Sequence, residues 1–146
     1  MKAVHVPDDP YNLERFVTAQ AGVYPTVVAE LHSGIKRSHW MWFIFPQIAG
    51  LGSSANAQEF SITGLEEAAA YLAHPVLGPR LAECTALVAA IDGAPLYRVL
   101  GWPDNLKFHS SITLFSLVPG HDRVFDAALA KYFDRVLDEK TIALVG

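Results

Sequence analysis

Four clusters of polar residues carry side chains that could do chemistry. The stretch "KRSH", Lys36 to His39, sets two cations, a hydroxyl and an imidazole directly ahead of the apolar run Trp40 to Phe45. Ammonium and guanidinium groups donate charge-assisted hydrogen bonds to anionic oxygens, so this set could hold a phosphate or carboxylate. Trp42 beside it could stack on a flat ring. The plainer reading is a basic loop leading into the core, with His39 satisfied there at both nitrogens.

The second cluster, "DNLKFHSSITLF", runs from Asp104 to Phe115. On a helix, Asp104, Lys107 and Ser111 fall at i, i+3 and i+7, roughly one face. His109 and Ser110 lie elsewhere around it. The hydroxyls could line a polar pocket with Lys107, or bond back to helix carbonyls. The third, "HPVLGPR", fixes a turn around His74 and Arg80, and reads more simply as a rigid helix start. The fourth, Arg15 and Gln20, reads residue by residue as a solvated face. The loop "GLGSS", from Gly50, could wrap an anion with backbone N–H groups or simply make a tight turn.

Catalysis would ask His39 or His74 to act as general acid and base, since an imidazole titrates near neutral pH. Ser110 or Ser111 with Lys107 as base is a weaker pairing, because Lys-x-x-Ser-Ser is no signature in itself. The sequence holds no GxGxxG, P-loop, HExxH, CxxC or GxSxG pattern, and no cofactor is expected. The six histidines are scattered, none four apart, and no metal site is expected. Cys84 sits between Leu81 and Leu87 without a neighbouring cation and reads as a small core residue.

The elements that would position these groups read as helices. Asn12 can cap a helix over 13–20, with Leu13, Phe16 and Val17 as its apolar stripe. Pro25 opens a helix over 26–33, and Gly34 stops it. Trp40 to Phe45 is too brief for periodicity to separate helix from strand. Thr63-Gly-Leu-Glu66 has the capping-box pattern ahead of a helix over 66–73. Further helices follow at 75–91, 96–100, 105–117 (capped by Asp104), 123–133 (capped by Asp122) and from Asp138 through Leu144. The alternation in "SITLFSL" leaves a strand open there. The expected fold is all-α, a single domain over 1–146 of six to eight short helices with irregular connections, frayed over 1–10.

Composition narrows the function. The chain has 146 residues, about half of them apolar, with a formal charge of −4. That length builds one domain with a core of its own. An acidic surface gives no push toward nucleic acid or anionic membrane, and the longest apolar run falls far below the ~18 residues of a membrane span. One cysteine excludes an internal disulfide. With no signal-like start, a soluble cytoplasmic protein is expected.

The blocks "YNLERFVTAQ", "GIKRSHWMWFIFPQIAGLGSS", "AYLAHPVLGPRL" and "PDNLKFHSSITLF" resemble, in order, the signature blocks of the uncharacterised bacterial domain of unknown function numbered eighteen-ten. The resemblance spans about Asn12 to Leu144. It implies an all-α single domain, as in an all-helical mycobacterial relative, and no activity, cofactor or catalytic residue.

Three functions remain in view. The first is a pocket for a small anionic ligand, nucleotide-like ligands included. It would be built from Arg15, Lys36, Arg37, Ser38 and His39 together with Trp42, Arg80, Lys107 and Ser110. The second is a non-catalytic module that binds another protein through an apolar patch around Trp102. The third is a polar network that only locks short helices together.

Overall fold

A computed structural model describes residues 9–146. The frayed start expected over 1–10 lies outside the described residues except for Asp9 and Pro10. The described residues fold as ten helices: α1 Glu14–Gln20, α2 Tyr24–Ser33, α3 Met41–Ile44, α4 Ala55–Glu59, α5 Leu65–Ala73, α6 Leu77–Ala89, α7 Leu96–Leu100, α8 Asp104–Ser116, α9 Arg123–Phe133 and α10 Glu139–Val145. Among the described residues there is no strand. The expected all-α domain is present, with more helices than the six to eight anticipated. The short α4 was not foreseen. Ser54 starts it by accepting the Ala57 amide at 3.1 Å.

Several helix starts use other residues than expected. Asp9, not Asn12, accepts the amides of Leu13 (2.6 Å) and Glu14 (3.0 Å) ahead of α1. Asn12 itself sits in the left-handed region, at φ 52°. At α5 the reciprocal contact runs to Glu67 and not to Glu66. The Glu67 carboxylate accepts both the amide and the hydroxyl of Thr63 at 2.9 Å. Asp104 is the first residue of α8 and not its cap, because its carboxylate faces lysines instead. Asp122 and Asp138 do cap α9 and α10.

The core is organised around α8. Phe108 and every residue from Ser110 to Phe115 are buried. From Ser110 to Phe115 the helix is enclosed on all sides and has no solvent face to create a 3.6-residue rhythm, which is why "SITLFSL" reads as strand-like. It packs against α9, α10, α5 and α7, while α6 packs against α9, α5 and α2. A run of aromatic contacts fills the interior. Phe16 meets Tyr71 edge-on at 5.0 Å, Tyr71 meets Phe115 at 5.3 Å, and Phe115 stacks on Phe125 at 6.0 Å. Phe45 meets Phe108 edge-on at 5.0 Å, bringing the run after His39 into the same core. Such pairs add roughly 0.5–1.5 kcal/mol each beyond the area they bury.

One backbone feature fixes the loop after Pro46. Ile48 and Ile62 form a single parallel bridge. Ala49 donates to the Ile62 carbonyl and Ile62 to the Gln47 carbonyl, each at 2.8 Å. The Gly-Ser loop and α4 are thereby closed into a clamp that leans toward α8.

Candidate functional site

The basic loop before Trp40 already holds an anion, and that anion is Glu30 of α2. One carboxylate oxygen accepts the backbone amides of Arg37 (2.7 Å) and Ser38 (3.1 Å) and the indole N–H of Trp40 (2.9 Å). The other accepts the Ser38 hydroxyl. Burial works against the charge, but these four donors outweigh it and lower the Glu30 pKa to about 2, from an ordinary 4.5. Ser38 is therefore committed within the protein and does not meet a ligand. Sequence reading missed Glu30, although the signal was present. It falls on the inward stripe of α2, three residues past Val27 and beside Leu31, where a carboxylate must find donors.

The other members of that cluster separate. Lys36 runs inward, its ammonium 2.9 Å from Asp104 and 5.0 Å from the centre of the Trp40 ring. Arg37 and His39 are exposed, and neither side chain makes a hydrogen bond among the described residues. The expectation of a core imidazole at His39 is thus corrected: the chain turns it outward while Trp40, next in sequence, is 2% exposed.

Arg15 and Gln20 are not a solvated face. Arg15 donates to the carbonyls of Tyr11, Asn12, Glu59 and Ser61 and pairs with Glu67 at 3.0 Å, joining α1 to the start of α5. Gln20 is 1% exposed and donates to the Phe43 carbonyl at 2.8 Å. It accepts from Arg80 at 3.1 Å, whose guanidinium also lies 4.5 Å over the Tyr24 ring. Gln20 and Glu67 share one signal, since each lies four residues from a buried aromatic, Phe16 and Tyr71. His74 accepts the amides of Val76 and Leu77 on Nδ1 at 3.1 and 3.2 Å, which caps the start of α6. Ser111 is wholly buried, and its hydroxyl has no partner among the described residues. Of the four catalytic candidates, His39 is exposed on the surface, His74 borders a separate cavity beside Tyr11 and Glu14 with its Nδ1 already used, and Lys107 faces an open space that gathers other polar groups.

That space is a cleft of about 460 Å³ between the Gly-Ser loop, the first half of α8 and the start of α10. Its polar walls are Gln47 and Ser53 on one side, Lys107, His109 and Ser110 on another, and Asp138 and Lys140 on the third. None of Lys36 to His39 lines it, and neither Arg15 nor Arg80 does. Asp104 couples the loop and α8 clusters: it binds Lys36 tightly and leaves Lys107 at 3.7 Å, past hydrogen-bond length. Lys107 also sits 5.2 Å over the half-buried Trp42 ring. Among the described residues no group of His, Cys, Asp and Glu is placed to hold a metal ion.

Two further side chains of the cleft are fixed by their partners. His109 stacks on Phe133 at 3.9 Å, and its Nε2 lies 2.7 Å from the Val136 carbonyl. A carbonyl only accepts, so Nε2 carries a proton, and the tautomer with Nε2–H leaves Nδ1 as the acceptor. Ser110 donates to Asp138 at 2.9 Å, and the same carboxylate oxygen takes the amide and hydroxyl of Thr141. The other Asp138 oxygen has no partner among the described residues.

A family model described as "Protein of unknown function (DUF1810)" matches residues 10–145. The crystal structure of the conserved hypothetical protein Rv1873 from Mycobacterium tuberculosis is similar at 52% identity, with a TM-score of 0.92. The match covers 94% of this chain and 98% of that one. No curated protein matches. No described helix is long and apolar enough to cross a membrane.

Proposed function

We infer that this chain, which belongs to the DUF1810 family of proteins of unknown function, binds a small anionic molecule in the cleft between its Gly-Ser loop and α8. The observation that carries this reading is Lys107. Its ammonium borders the cleft, sits too far from Asp104 to donate to it, and is held in place by the Trp42 face. Lys140 adds a second cation, exposed and without an ion pair among the described residues. Ser53, whose hydroxyl makes no hydrogen bond among the described residues, supplies a neutral donor from the clamp. Two cations and a hydroxyl around one opening suit anionic oxygens.

The site differs from the nine-residue pocket suggested by the sequence. Lys107 and Ser110 belong to it. Arg15, Ser38 and Arg80 hold the fold together, Lys36 braces Asp104, and Trp42 supports Lys107 from below. Arg37 and His39 lie outside it. Binding without chemistry is the reading, because the hydroxyl–carboxylate pair of the cleft, Ser110 with Asp138, is tied into the fold by the Leu106 carbonyl and the cap of α10.

The test is a thermal-shift and titration screen of the full chain against inorganic phosphate, a dicarboxylate, a sugar phosphate and a nucleotide. At least one should bind saturably, and Lys107→Ala should weaken it tenfold or more while melting near the parent temperature. If no anion binds the parent protein, the cleft is not an anion site.

A second reading rests on a different surface. Trp102 is 76% exposed, followed by Leu106 at 51% one helical turn on. A large aromatic left open suits a protein partner. Trp102→Ser should abolish any partner interaction and leave anion binding unchanged.

A further inference from the structure

The geometry points to a sugar phosphate, and not a nucleotide or a bare anion, as the class of molecule held in this cleft. The inference rests on the anion reading above and deepens it.

The cleft presents more than positive charge. Two residues lining the same space each keep an acceptor that the fold does not use: Nδ1 of His109 and the second oxygen of Asp138. Neither has a donor among the described residues. His109 cannot turn away, because its ring is stacked on Phe133 and its other nitrogen is tied to Val136. Asp138 is held by Ser110 and Thr141 through its first oxygen. Gln47 adds a side-chain amide, donor and acceptor together, that makes no hydrogen bond among the described residues.

A bare anion would meet Lys107 and Lys140 but would be repelled by Asp138, and even inorganic phosphate brings at most one or two hydroxyls to the acceptors around the cleft. A molecule with an anionic end and several hydroxyls satisfies both sets, because each hydroxyl can donate to one group and accept from another. The size agrees. About 460 Å³ is far more than a single phosphate fills and lies in the range of small-molecule sites.

The aromatic wall that a nucleobase would need is missing from the cleft. Trp40 is 2% exposed, and the face of Trp42 is covered by Lys107. His109 already stacks on Phe133. The rest of the lining is aliphatic or polar, with Leu51, Pro103 and Leu106 forming its apolar part. A sugar ring needs only such a surface for its C–H face.

The test titrates the full chain with a hexose monophosphate, inorganic phosphate, a nucleoside monophosphate and the unphosphorylated hexose. The hexose monophosphate should bind at least tenfold tighter than inorganic phosphate and tighter than the nucleoside monophosphate. His109→Phe keeps the stack on Phe133 and removes the acceptor. It should cost hexose monophosphate tenfold or more and leave inorganic phosphate unchanged. Gln47→Ala should discriminate in the same direction if His109→Phe does not fold. If inorganic phosphate or the nucleoside monophosphate binds as tightly as the hexose monophosphate, this inference is wrong while the anion cleft stands. If none of the phosphorylated probes binds, the cleft reading itself is lost.

Discussion

The carboxylate of Glu30 accepts the indole N–H of Trp40 at 2.9 Å, ten residues away, and the basic loop between them closes over the same charge. A segment whose sequence suggests an external anion site is thus folded around an internal anion. Its two remaining exposed groups, Arg37 and His39, are surface residues.

Replacing that carboxylate should be costly. Glu30→Gln keeps the shape but removes the charge that four donors converge on, and should destabilise by roughly 2–4 kcal/mol. Urea unfolding followed by tryptophan fluorescence measures it. The pH dependence has a defined sign. The folded pKa of about 2 lies below the ordinary 4.5, so the contribution is whole above pH 4.5 and is lost as pH falls toward 2. The parent should lose stability over that window more steeply than Glu30→Gln. Parallel curves would mean the carboxylate is not held as described.

His121 sets the opposite slope. Its Nδ1 faces the Val118 carbonyl at 2.8 Å and its Nε2 faces Asp126 at 2.9 Å, so both nitrogens face acceptors and the charged form of the ring is favoured. Burial works to lower its pKa, but the carbonyl and Asp126 outweigh it and the pKa rises above 6.5. The stabilisation is therefore whole below pH 6.5 and is lost as pH rises through the folded value. At this partly exposed pair the effect should stay below about 1 kcal/mol. Melting temperatures at pH 6 and pH 9 should converge in Asp126→Asn relative to the parent.

Gly78 allows α6 to cross the end of α5. A Cβ there would lie 2.1 Å from the Leu72 carbonyl oxygen and 2.9 Å from its carbon, both backbone atoms that cannot swing aside. Gly78→Ala should destabilise by about 1–3 kcal/mol or more, although alanine ordinarily favours a helix. A melting temperature at or above the parent's would contradict the close approach.

Cys84 should be chemically silent in the native protein. It is fully buried, and burial pushes its thiol up to about 12. A thiol-specific reagent at neutral pH should modify it only at the rate of unfolding, and in denaturant at once. Rapid labelling of the folded protein would show an opening between α2 and α6 that the packing does not display.

Much of the fold was legible because it is local. The helices at 96–100 and 123–133 are found where the sequence placed them, since Gly101, Asp122 and the apolar stripe of Val124, Phe125 and Ala128 act within a turn or two. The register was less legible where a cap is chosen by competition. Asp9 outreached Asn12, and Glu67 replaced Glu66, because each was a residue better placed to reach the free amides.

Site membership lay mostly beyond the sequence. Arg15, Lys36, Arg80 and Lys107 are four cations of similar chemistry, and nothing local says which keeps donors for a ligand. Glu67 is 52 residues from Arg15, Gln20 is 60 from Arg80, and Asp104 sits between Lys36 and Lys107 only after α7 docks on α8. The sequence by itself determined which residues must be buried and which helices they build, because hydrophobic period and capping are short-range properties of the chain. Only the tertiary structure decided which polar groups find one another and which are left facing the cleft, because an ion pair is set by distances that only the packed helices define.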